Sequence, residues 1–254
     1  GVAASSYIKN STLKSENPFE KQNDLYSKIL GREVELYTKI EATSTENSDS
    51  LKQWSVTVPA SSIGYLYINK HATAGSYWPV TLTIDQRTIK NEAWRFDNNI
   101  RQIADASHAP SQHTVSIGVA EGYTDMPQDN EPVFYALNLE VFEQIINELK
   151  TSEFIPTVFE DGRIEGEYTA KDDGNLLLSV PYDEGWNVTV NGTTAELTPA
   201  ADKGLSSLNM QKGSNRIVMT YKTPGALAGL AVSLATAAAL VAAGLFTRHK
   251  KSRR

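Results

Sequence analysis

The sequence predicts a mainly β protein, with two β-sandwich-like modules and accessory helices followed by one C-terminal transmembrane helix. Short segments of alternating apolar and polar residues recur at regular spacing, a pattern typical of sandwiches. Two stretches of the chain also resemble each other, and one long apolar run precedes the C-terminus. We therefore expect four parts: a first module (residues 1–137), a second module (138–223), a spanning helix (224–247) and a basic tail (248–254).

The first part is predicted to begin with a helix ahead of its strands. Asn17 suits the N-cap and Pro18 the first helical position, while Glu20 completes a box-like capping pattern. Gly31 suits the end of the helix, because glycine readily adopts the left-handed conformation that stops helices. We therefore expect residues 17–31 to form a capped helix.

The second part is also predicted to begin with a helix, capped by Asn138. Its apolar residues fall on one helical face. They are Leu139, Phe142, Ile145, Ile146 and Leu149. The same order of helix and strands in both parts suggests an internal repeat.

A short sequence match supports that repeat. Residues 31–38 and 162–169 share the pattern G-R-x4-Y-T, and each is followed by a strand with a similar end, at residues 56–59 and 178–181. We interpret the chain as two copies of a helix followed by a β-rich module, the first enlarged by insertions. A chance similarity between short strands is the alternative.

Residues 186–197 are predicted to form a β-hairpin, because Asn191-Gly192 supplies the two positive-φ residues of a type I′ turn. The two-residue loop sets the register, which pairs Val190 with Thr193, Val188 with Ala195 and Trp186 with Leu197. An interior strand is expected at Leu176, Leu177 and Leu178. A second hairpin is expected to run from Leu208 and Met210, through a turn at Lys212-Gly213, to Ile217, Met219 and Tyr221.

Residues 224–247 contain no charged side chain and are predicted to cross a membrane. As a helix that rises about 1.5 Å per residue, they cover roughly 30 Å, the thickness of a hydrocarbon core. The alternative is a buried helix of a soluble core. Such helices usually carry a polar stripe, and Ser233 and Thr236 alone do not form one.

The residues after this run predict its orientation. Five cations follow at once, namely Arg248, Lys250, Lys251, Arg253 and Arg254. Such a short basic flank stays on the cytoplasmic side, so we expect the bulk of the chain outside a bacterial cell membrane and its C-terminus inside. Because the first residues lack an export signal, we expect Gly1 to be a cut end that follows at least one further span.

Composition limits the partners of the exported part. Without the five cations of the tail, 19 of the 24 Lys and Arg remain against 30 Asp and Glu, a net charge of about −11. We expect no nucleic-acid partner, because phosphate binding needs a basic face. The chain has no cysteine, which suggests a domain held by its own core rather than by disulfides.

Two segments carry a resemblance to a known family. The stretch PYDEGWNVTVNG, residues 181–192, followed by KGSNRIVMTYKTPG before the final span, resembles the C-terminal end of the bacterial YfhO family of multi-span membrane proteins. Residues 17–31 resemble another segment of that family. The resemblance implies a glycosyltransferase that takes sugar from a polyprenyl-phosphate carrier and adds it to a cell-surface polymer such as lipoteichoic acid.

The same resemblance implies how this chain takes part. The transfer chemistry of the family resides in an upstream multi-span part, so we expect no catalytic residue and no cofactor here. The partners it implies are membrane lipid, a cell-surface polymer or glycan, and the upstream transmembrane part of the same protein. The modules are expected to aid acceptor binding or stability.

Candidate glycan-contacting residues lie in two loops. They are Tyr182, Asp183 and Glu184 in the second part, and Tyr77 and Trp78 in the first. Aromatic faces stack on sugar C–H groups, while carboxylates accept hydrogen bonds from sugar hydroxyls. The alternative for each loop is a solvated turn. Nearby, Gly185 is predicted to serve turn geometry, and Trp186 and Tyr221 to face the core.

Signatures of catalysis and metal binding are otherwise absent from the sequence. There is no nucleophile elbow, H-E-x-x-H motif, Walker loop or thiol. His108 and His113 stand five apart without a third ligand, so we interpret them as part of a surface loop and predict no metal site.

Two further functions are kept as alternatives to a part of a glycosyltransferase. One is a membrane-tethered module that binds glycan or protein without catalysis. The other is a hydrolase, which only scattered carboxylates in the sequence support.

Overall fold

The computed structural model describes residues 2–4, 15–68, 79–93, 100–119, 121–122 and 132–251. The chain divides into two compact units. Residues 12–151 form one unit, called the first module below, and residues 1–11 with 152–254 form the other, called the second module. Both consist mainly of antiparallel strands, which confirms the predicted fold class.

The helices and strands are given in chain order. They are β1 (Val2–Ala4), α1 (Pro18–Leu30), β2 (Tyr37–Ile40), β3 (Ala42–Asn47), β4 (Leu51–Val58), β5 (Ser62–Tyr67), β6 (Pro79–Ile84), β7 (Arg87–Ala93), β8 (Ile100–Ala104), β9 (Ser111–Val119), β10 (Val133–Asn138), α2 (Leu139–Lys150), β11 (Ile155–Glu160), β12 (Arg163–Ala170), β13 (Gly174–Leu178), β14 (Trp186–Val190), β15 (Thr193–Ala195), β16 (Leu197–Ala200), β17 (Leu205–Met210), β18 (Gly213–Tyr221) and α3 (Ala226–Lys251).

The first module is a sandwich of two antiparallel sheets. One sheet has the strand order β2-β10-β5-β8, and the other has the order β3-β4-β9-β6-β7. Side chains alternate between the two faces of a strand, so one face of each sheet supplies the core. That core includes Trp54, Val56, Val58, Leu66, Leu82, Val115, Ile117 and Phe134.

Helix α1 begins and ends where the sequence predicts. The Asn17 side chain accepts hydrogen bonds from the N–H groups of Phe19 (3.0 Å) and Glu20 (3.4 Å), and Gly31 has a left-handed φ of 66°. Asn17 also donates from Nδ2 to the Tyr135 hydroxyl at 2.9 Å, and the Phe19 ring stacks on Tyr135 with 4.5 Å between centroids. The residues that start the helix therefore also fasten it to β10.

Helix α2 is capped by Asn138 as predicted, through N–H groups of its first turn. Its fully buried residue is Ile145, which packs in a cluster with Val34 and Leu36. Phe142, which the sequence pattern places on the same apolar face, is 37% exposed. Helix α2 therefore packs against residues of the first module.

The compact units differ from the predicted modules at two points. Because α2 packs on the first module, the boundary lies after Thr151 rather than after residue 137. Strand β1 pairs with β13, with Val2 opposite Leu177, so residues 1–11 belong to the second module. A local helix or strand pattern does not reveal which partner an element packs against, and the predicted boundaries required that information.

The second module is also a sandwich of two antiparallel sheets. Their strand orders are β1-β13-β17-β16 and β11-β12-β18-β14-β15. The interior strand predicted at Leu176, Leu177 and Leu178 is confirmed, since all three side chains are buried. The core between the sheets includes Ile164, Tyr168, Leu176, Leu178, Val188, Leu208, Met210, Ile217 and Met219.

The two modules repeat one topology. The order β3-β4-β9-β6-β7 in the first module matches β11-β12-β18-β14-β15 in the second, strand for strand along the chain. In the other sheet, β10-β5-β8 matches β1-β13-β17, so the N-terminal strand β1 takes the place that β10 has in the first module. The chain of the first module is therefore inserted between the first strand of the second module and the rest of it.

Hydrogen bonds at one turn confirm this correspondence. In the β6–β7 turn, Asp85 donates its N–H to Thr114 O (2.7 Å) and accepts the Thr114 N–H on its carboxylate (2.9 Å). In the β14–β15 turn, Asn191 makes the same two bonds with Arg216, both at 2.8 Å. Both turn residues have positive φ, 55° and 54°.

The short motif that suggested a repeat does not mark equivalent positions. Gly31 ends α1, whereas Gly162 lies in the turn between β11 and β12. Both glycines have positive φ, 66° and 71°, which explains the shared residue type without shared topology. The strand that corresponds to β12 is β4, not the segment after residue 31.

The hairpin of β14 and β15 forms with the type I′ turn at Asn191 and Gly192, whose φ values are 54° and 80°. The predicted pairs of Val190 with Thr193 and Val188 with Ala195 are confirmed. The predicted pair of Trp186 with Leu197 is wrong. The chain crosses to the other sheet after β15, where Leu197 in β16 lies opposite Leu208.

The second predicted hairpin is an arch between sheets. Strand β17 pairs with β13 and β16, whereas β18 pairs with β12 and β14. The buried Asn215 holds the connection by donating from Nδ2 to the carbonyls of Gln211 (2.8 Å) and Gly213 (2.9 Å). The alternation in both strands was predicted correctly, but alternation alone does not identify the sheet in which a strand lies.

The Tyr135 hydroxyl leads to a prediction about pH. Burial and the nearby Glu20 carboxylate, which accepts its O–H at 3.3 Å, raise the pKa of Tyr135 from 10.0 to about 12. Since the folded pKa lies above the unfolded value, this group stabilises the fold fully below pH 10 and loses that contribution as the pH rises towards 12. Glu20→Gln should lower the pKa of Tyr135, measured by the absorbance of tyrosinate with Tyr135→Phe as the reference. An unchanged pKa in Glu20→Gln would contradict the assigned cause.

Candidate functional site: the helix junction

The loop between β13 and β14 meets the end of β18 just before α3. The Lys222 N–H donates to Gly185 O at 2.9 Å, and the Tyr221 N–H donates to Gly162 O at 2.8 Å. The last residues before the helix are thus held from two sides. We call the set Gly162, Asp183, Gly185, Tyr221 and Lys222 the helix junction.

Asp183 organises the loop of the helix junction. Its Oδ1 atom accepts the Gly185 N–H at 2.7 Å, and its carbonyl accepts the Trp186 N–H at 3.3 Å, as in a β-turn. The Tyr221 hydroxyl also donates to the Asp183 side chain. Partial desolvation of this hydroxyl, with the hydrogen bond and charge of Asp183, raises the pKa of Tyr221.

Gly185 is required by close packing. A Cβ at this position would lie 2.6 Å from Cε2 of Tyr221 and 2.7 Å from Lys222 O. Trp186 follows at once, and its ring contacts the Tyr221 ring edge-on with 5.2 Å between centroids. Gly185 therefore serves the turn, as predicted, and also allows the loop to pack closely against the last strand.

Helix α3 follows the helix junction after three residues. Its segment Ala226–Ala243 has a mean hydropathy of 2.1 and is long enough to cross a bilayer. Its apolar side chains are exposed, for example Leu227 at 83%. The Ser233 and Thr236 hydroxyls donate to the carbonyls of Gly229 (2.9 Å) and Val232 (2.8 Å), so both hydroxyls have partners inside the helix, as lipid requires.

The candidate glycan contacts lie in different surroundings. Tyr182 is half-buried against the core of the second module, and its N–H donates to Lys203 O at 3.3 Å. Asp183 is engaged within the helix junction, whereas Glu184 is exposed. Tyr77 and Trp78 lie outside the described residues. A sugar-binding role for these five residues stays a prediction.

The sequence did not identify the helix junction as one unit. Tyr221 was assigned to the core, and Gly162 was noted only as part of a repeated motif. Their meeting depends on the pairing of β18 with β12 and β14, which brings residues 162 and 185 to opposite sides of one strand end. Two sequence signals could have indicated the helix junction: the segment PYDEG, and the short distance between the last strand and the apolar helix.

The predicted surface loop at the histidines is only partly correct. His108 lies in the exposed loop between β8 and β9, but His113 lies in β9. Within the described part of the chain, no group of three or more His, Asp or Glu side chains could hold a metal ion.

Gly185→Ala tests the packing of the helix junction. The added methyl group collides with a ring carbon and a carbonyl, so we expect the free energy of unfolding of the full chain in detergent to fall by about 1–3 kcal/mol. Glu184→Ala is the matched control, since its side chain is exposed and its effect should stay within about 0.5 kcal/mol. Denaturant unfolding followed by Trp fluorescence gives both values, and equal stabilities would contradict the packing role.

Comparison with known proteins identifies the family. Residues 1–233 match the family model described as "Bacterial membrane protein YfhO". A protein of Bacillus subtilis (strain 168) described as "Uncharacterized protein YfhO" is 25% identical over 142 residues, which cover 56% of this chain and 16% of that protein.

Two solved structures share little with this fold. A cupin 2 conserved barrel domain protein from Leptotrichia buccalis is 12% identical with a TM-score of 0.15, over 72% of this chain and 89% of that one. A salicylate 1,2-dioxygenase from Pseudaminobacter salicylatoxidans is 8% identical with a TM-score of 0.13, over 72% and 76%. Neither score supports an argument about fold or activity. The family match shows that this chain belongs to the YfhO family of bacterial membrane proteins.

Proposed function

We propose that this chain is the extracytoplasmic C-terminal part of a membrane glycosyltransferase, which transfers sugar from a polyprenyl-phosphate carrier to a cell-surface polymer such as lipoteichoic acid. The modules aid acceptor binding or steady the membrane-embedded catalytic part, which lies upstream. The observation that carries this proposal is the helix junction, where a folded sandwich is hydrogen-bonded up to Lys222 and the apolar helix begins at Ala226.

The length of the connection supports a position at the membrane surface. Four residue steps separate Lys222 from Ala226, and an extended chain covers at most about 3.6 Å per residue, or about 14 Å in all. A sandwich tied so closely to a spanning helix stays beside the lipid headgroups. That is where a lipid-linked donor sugar and a growing surface polymer meet.

The charge distribution supports the orientation. The cations that follow Thr247 favour a cytoplasmic C-terminus, while the rest of the chain carries an acidic excess. In this orientation both modules lie outside the cell. The glycan contact, in this proposal, uses the exposed Glu184 and the accessible side of Tyr182, because Asp183 already serves the helix junction.

The lack of cysteine in this chain offers a direct test of orientation. Thr193→Cys places a thiol in the exposed β14–β15 hairpin, and Ser252→Cys places one in the basic tail. In intact cells, a membrane-impermeant maleimide should label the first variant at least tenfold more than the second. Permeabilised cells serve as the control and should label both. The reverse pattern in intact cells would overturn the orientation.

A flexible insertion tests whether the position of the second module matters. Ten Gly and Ser residues between Thr223 and Pro224 of the full-length protein release the module from the membrane, so sugar on the polymer should fall tenfold or more. The same insertion after Arg254 is the control and should have no effect. Unchanged glycosylation with both insertions would contradict a role that depends on position. Retained polymer binding by a protein with no transfer activity at all would instead favour the tethered binding module.

A further inference from the structure

Three polar side chains form a hydrogen-bonded chain at one end of the first module. Asp85 lies in the β6–β7 turn, and Ser111 and His113 lie on β9. His113 Nδ1 is 3.0 Å from Asp85 Oδ2, and His113 Nε2 is 2.8 Å from Ser111 Oγ. One tautomer satisfies both contacts, with Nδ1–H donating to Asp85 and Nε2 accepting the Ser111 hydroxyl proton.

The two members of this set that lie on β9 occupy the inward face of the strand. Ser111 and His113 alternate with the outward residues of β9, so they share a face with Val115, which is fully buried. Opposite them on β4 lie Val58 and Val56, both 0% exposed. The His113 side chain is 16% exposed and that of Asp85 is 51% exposed, so the set is open to solvent at its Asp85 end.

Asp85 is positioned to orient the imidazole. Its second carboxylate oxygen accepts the Thr114 N–H at 2.9 Å, which fixes the carboxylate plane. Partial burial acts to raise the pKa of Asp85, but the Thr114 N–H and His113 outweigh it and lower the pKa overall. The carboxylate is therefore ionised at neutral pH and accepts the His113 Nδ1–H, which orients the imidazole ring.

The fold itself does not require these three residue types. In the second module Asn191 makes both turn bonds of Asp85, and the registers of β9 and β18 place Asn215 at the position of His113 and Gly213 at that of Ser111. An amide and a glycine are thus sufficient for the same scaffold. The scaffold therefore does not need the carboxylate, imidazole and hydroxyl groups that the first module carries at these positions.

Space for a substrate lies beside this set. An open cavity of about 910 Å³ reaches the set at Asp85 and is also lined by Arg87, which begins β7, by Gln102 of β8 and by Asp105 just after it. Ser111 and His113 are not part of its lining. Carboxylate and amide oxygens accept hydrogen bonds from hydroxyl groups, and Arg87 donates to oxygens. The lining therefore fits a polyhydroxy compound.

We propose that Ser111 is a nucleophile, activated by His113 and oriented through Asp85, that cleaves carboxylic O-acyl esters of polyhydroxy compounds. Ser111 Oγ bonds to the acyl carbon while His113 Nε2 takes the hydroxyl proton. The bond from the acyl carbon to the alcohol oxygen breaks, and the alcohol leaves with that proton. Water then attacks the acyl-serine, with its proton passing to His113, and releases the carboxylic acid as the proton returns to Ser111.

A fluorophosphonate probe tests the nucleophile directly. The full chain in detergent should form a covalent adduct at Ser111, located by mass spectrometry, and should release 4-nitrophenol from 4-nitrophenyl acetate. Ser111→Ala should lose both signals. Ser55→Ala, on the outer face of β4, is the matched control and should keep both.

Two variants copied from the second module separate catalysis from folding. Asp85→Asn and His113→Asn introduce the residue types found at the equivalent positions, so the thermal unfolding midpoint should change little while labelling slows at least tenfold. Absence of an adduct at Ser111 in the folded wild-type chain would overturn the proposal. So would equal labelling rates in wild type and His113→Asn. This test does not depend on the proposed glycosyltransferase role, since it needs neither the polymer nor the upstream part.

Discussion

The structure depends on one constraint: its last strand continues almost directly into a helix whose first 18 residues, Ala226–Ala243, are uncharged and long enough to cross a bilayer. Strand β18 is paired by β12 and β14 along its length, and its end is closed by the carbonyls of Gly162 and Gly185. Backbone groups inside a bilayer must be satisfied within a helix, whereas those of a strand must be satisfied by neighbours. At the helix junction, the backbone changes from hydrogen bonds with neighbouring strands to hydrogen bonds within a helix over a few residues. Gly185 and Asp183 allow this change by bringing a loop close enough to bond to the final residues of the strand.

The repeated topology shows which features serve the scaffold. The turn bonds of Asp85 and Asn191 are the same in both modules, and both residues adopt the positive φ that the two-residue turn demands. Beyond that shared geometry the modules differ in chemistry. The second uses the buried Asn215 to hold an arch, while the first has an imidazole between a carboxylate and a hydroxyl. Equivalent backbone positions thus carry an amide in one copy and titratable groups in the other.

Local features of the fold were predictable because their causes are local. The caps at Asn17 and Asn138 depend on N–H groups two and three residues away, and the Asn191-Gly192 turn depends on its own φ angles. The alternation of Leu208, Met210, Ile217 and Met219 correctly marked buried faces. The errors arose where partners had to be chosen, as when β17 and β18 separated into different sheets and α2 packed on the preceding module.

The candidate sites show the same division. Adjacent letters suggested that Tyr182, Asp183 and Glu184 act together, but packing against the core, bonding to Tyr221 and exposure to solvent give them three different environments. His113 and Asp85 are 28 residues apart, and only the pairing of β9 with β6 brings them together. The sequence by itself determined the strand-rich class, the capped helices and the apolar terminal helix, since each follows from short-range periodicity. Tertiary structure alone decided the module boundaries, the helix junction and the Asp85–His113–Ser111 set, because strand pairing joins residues that no local pattern connects.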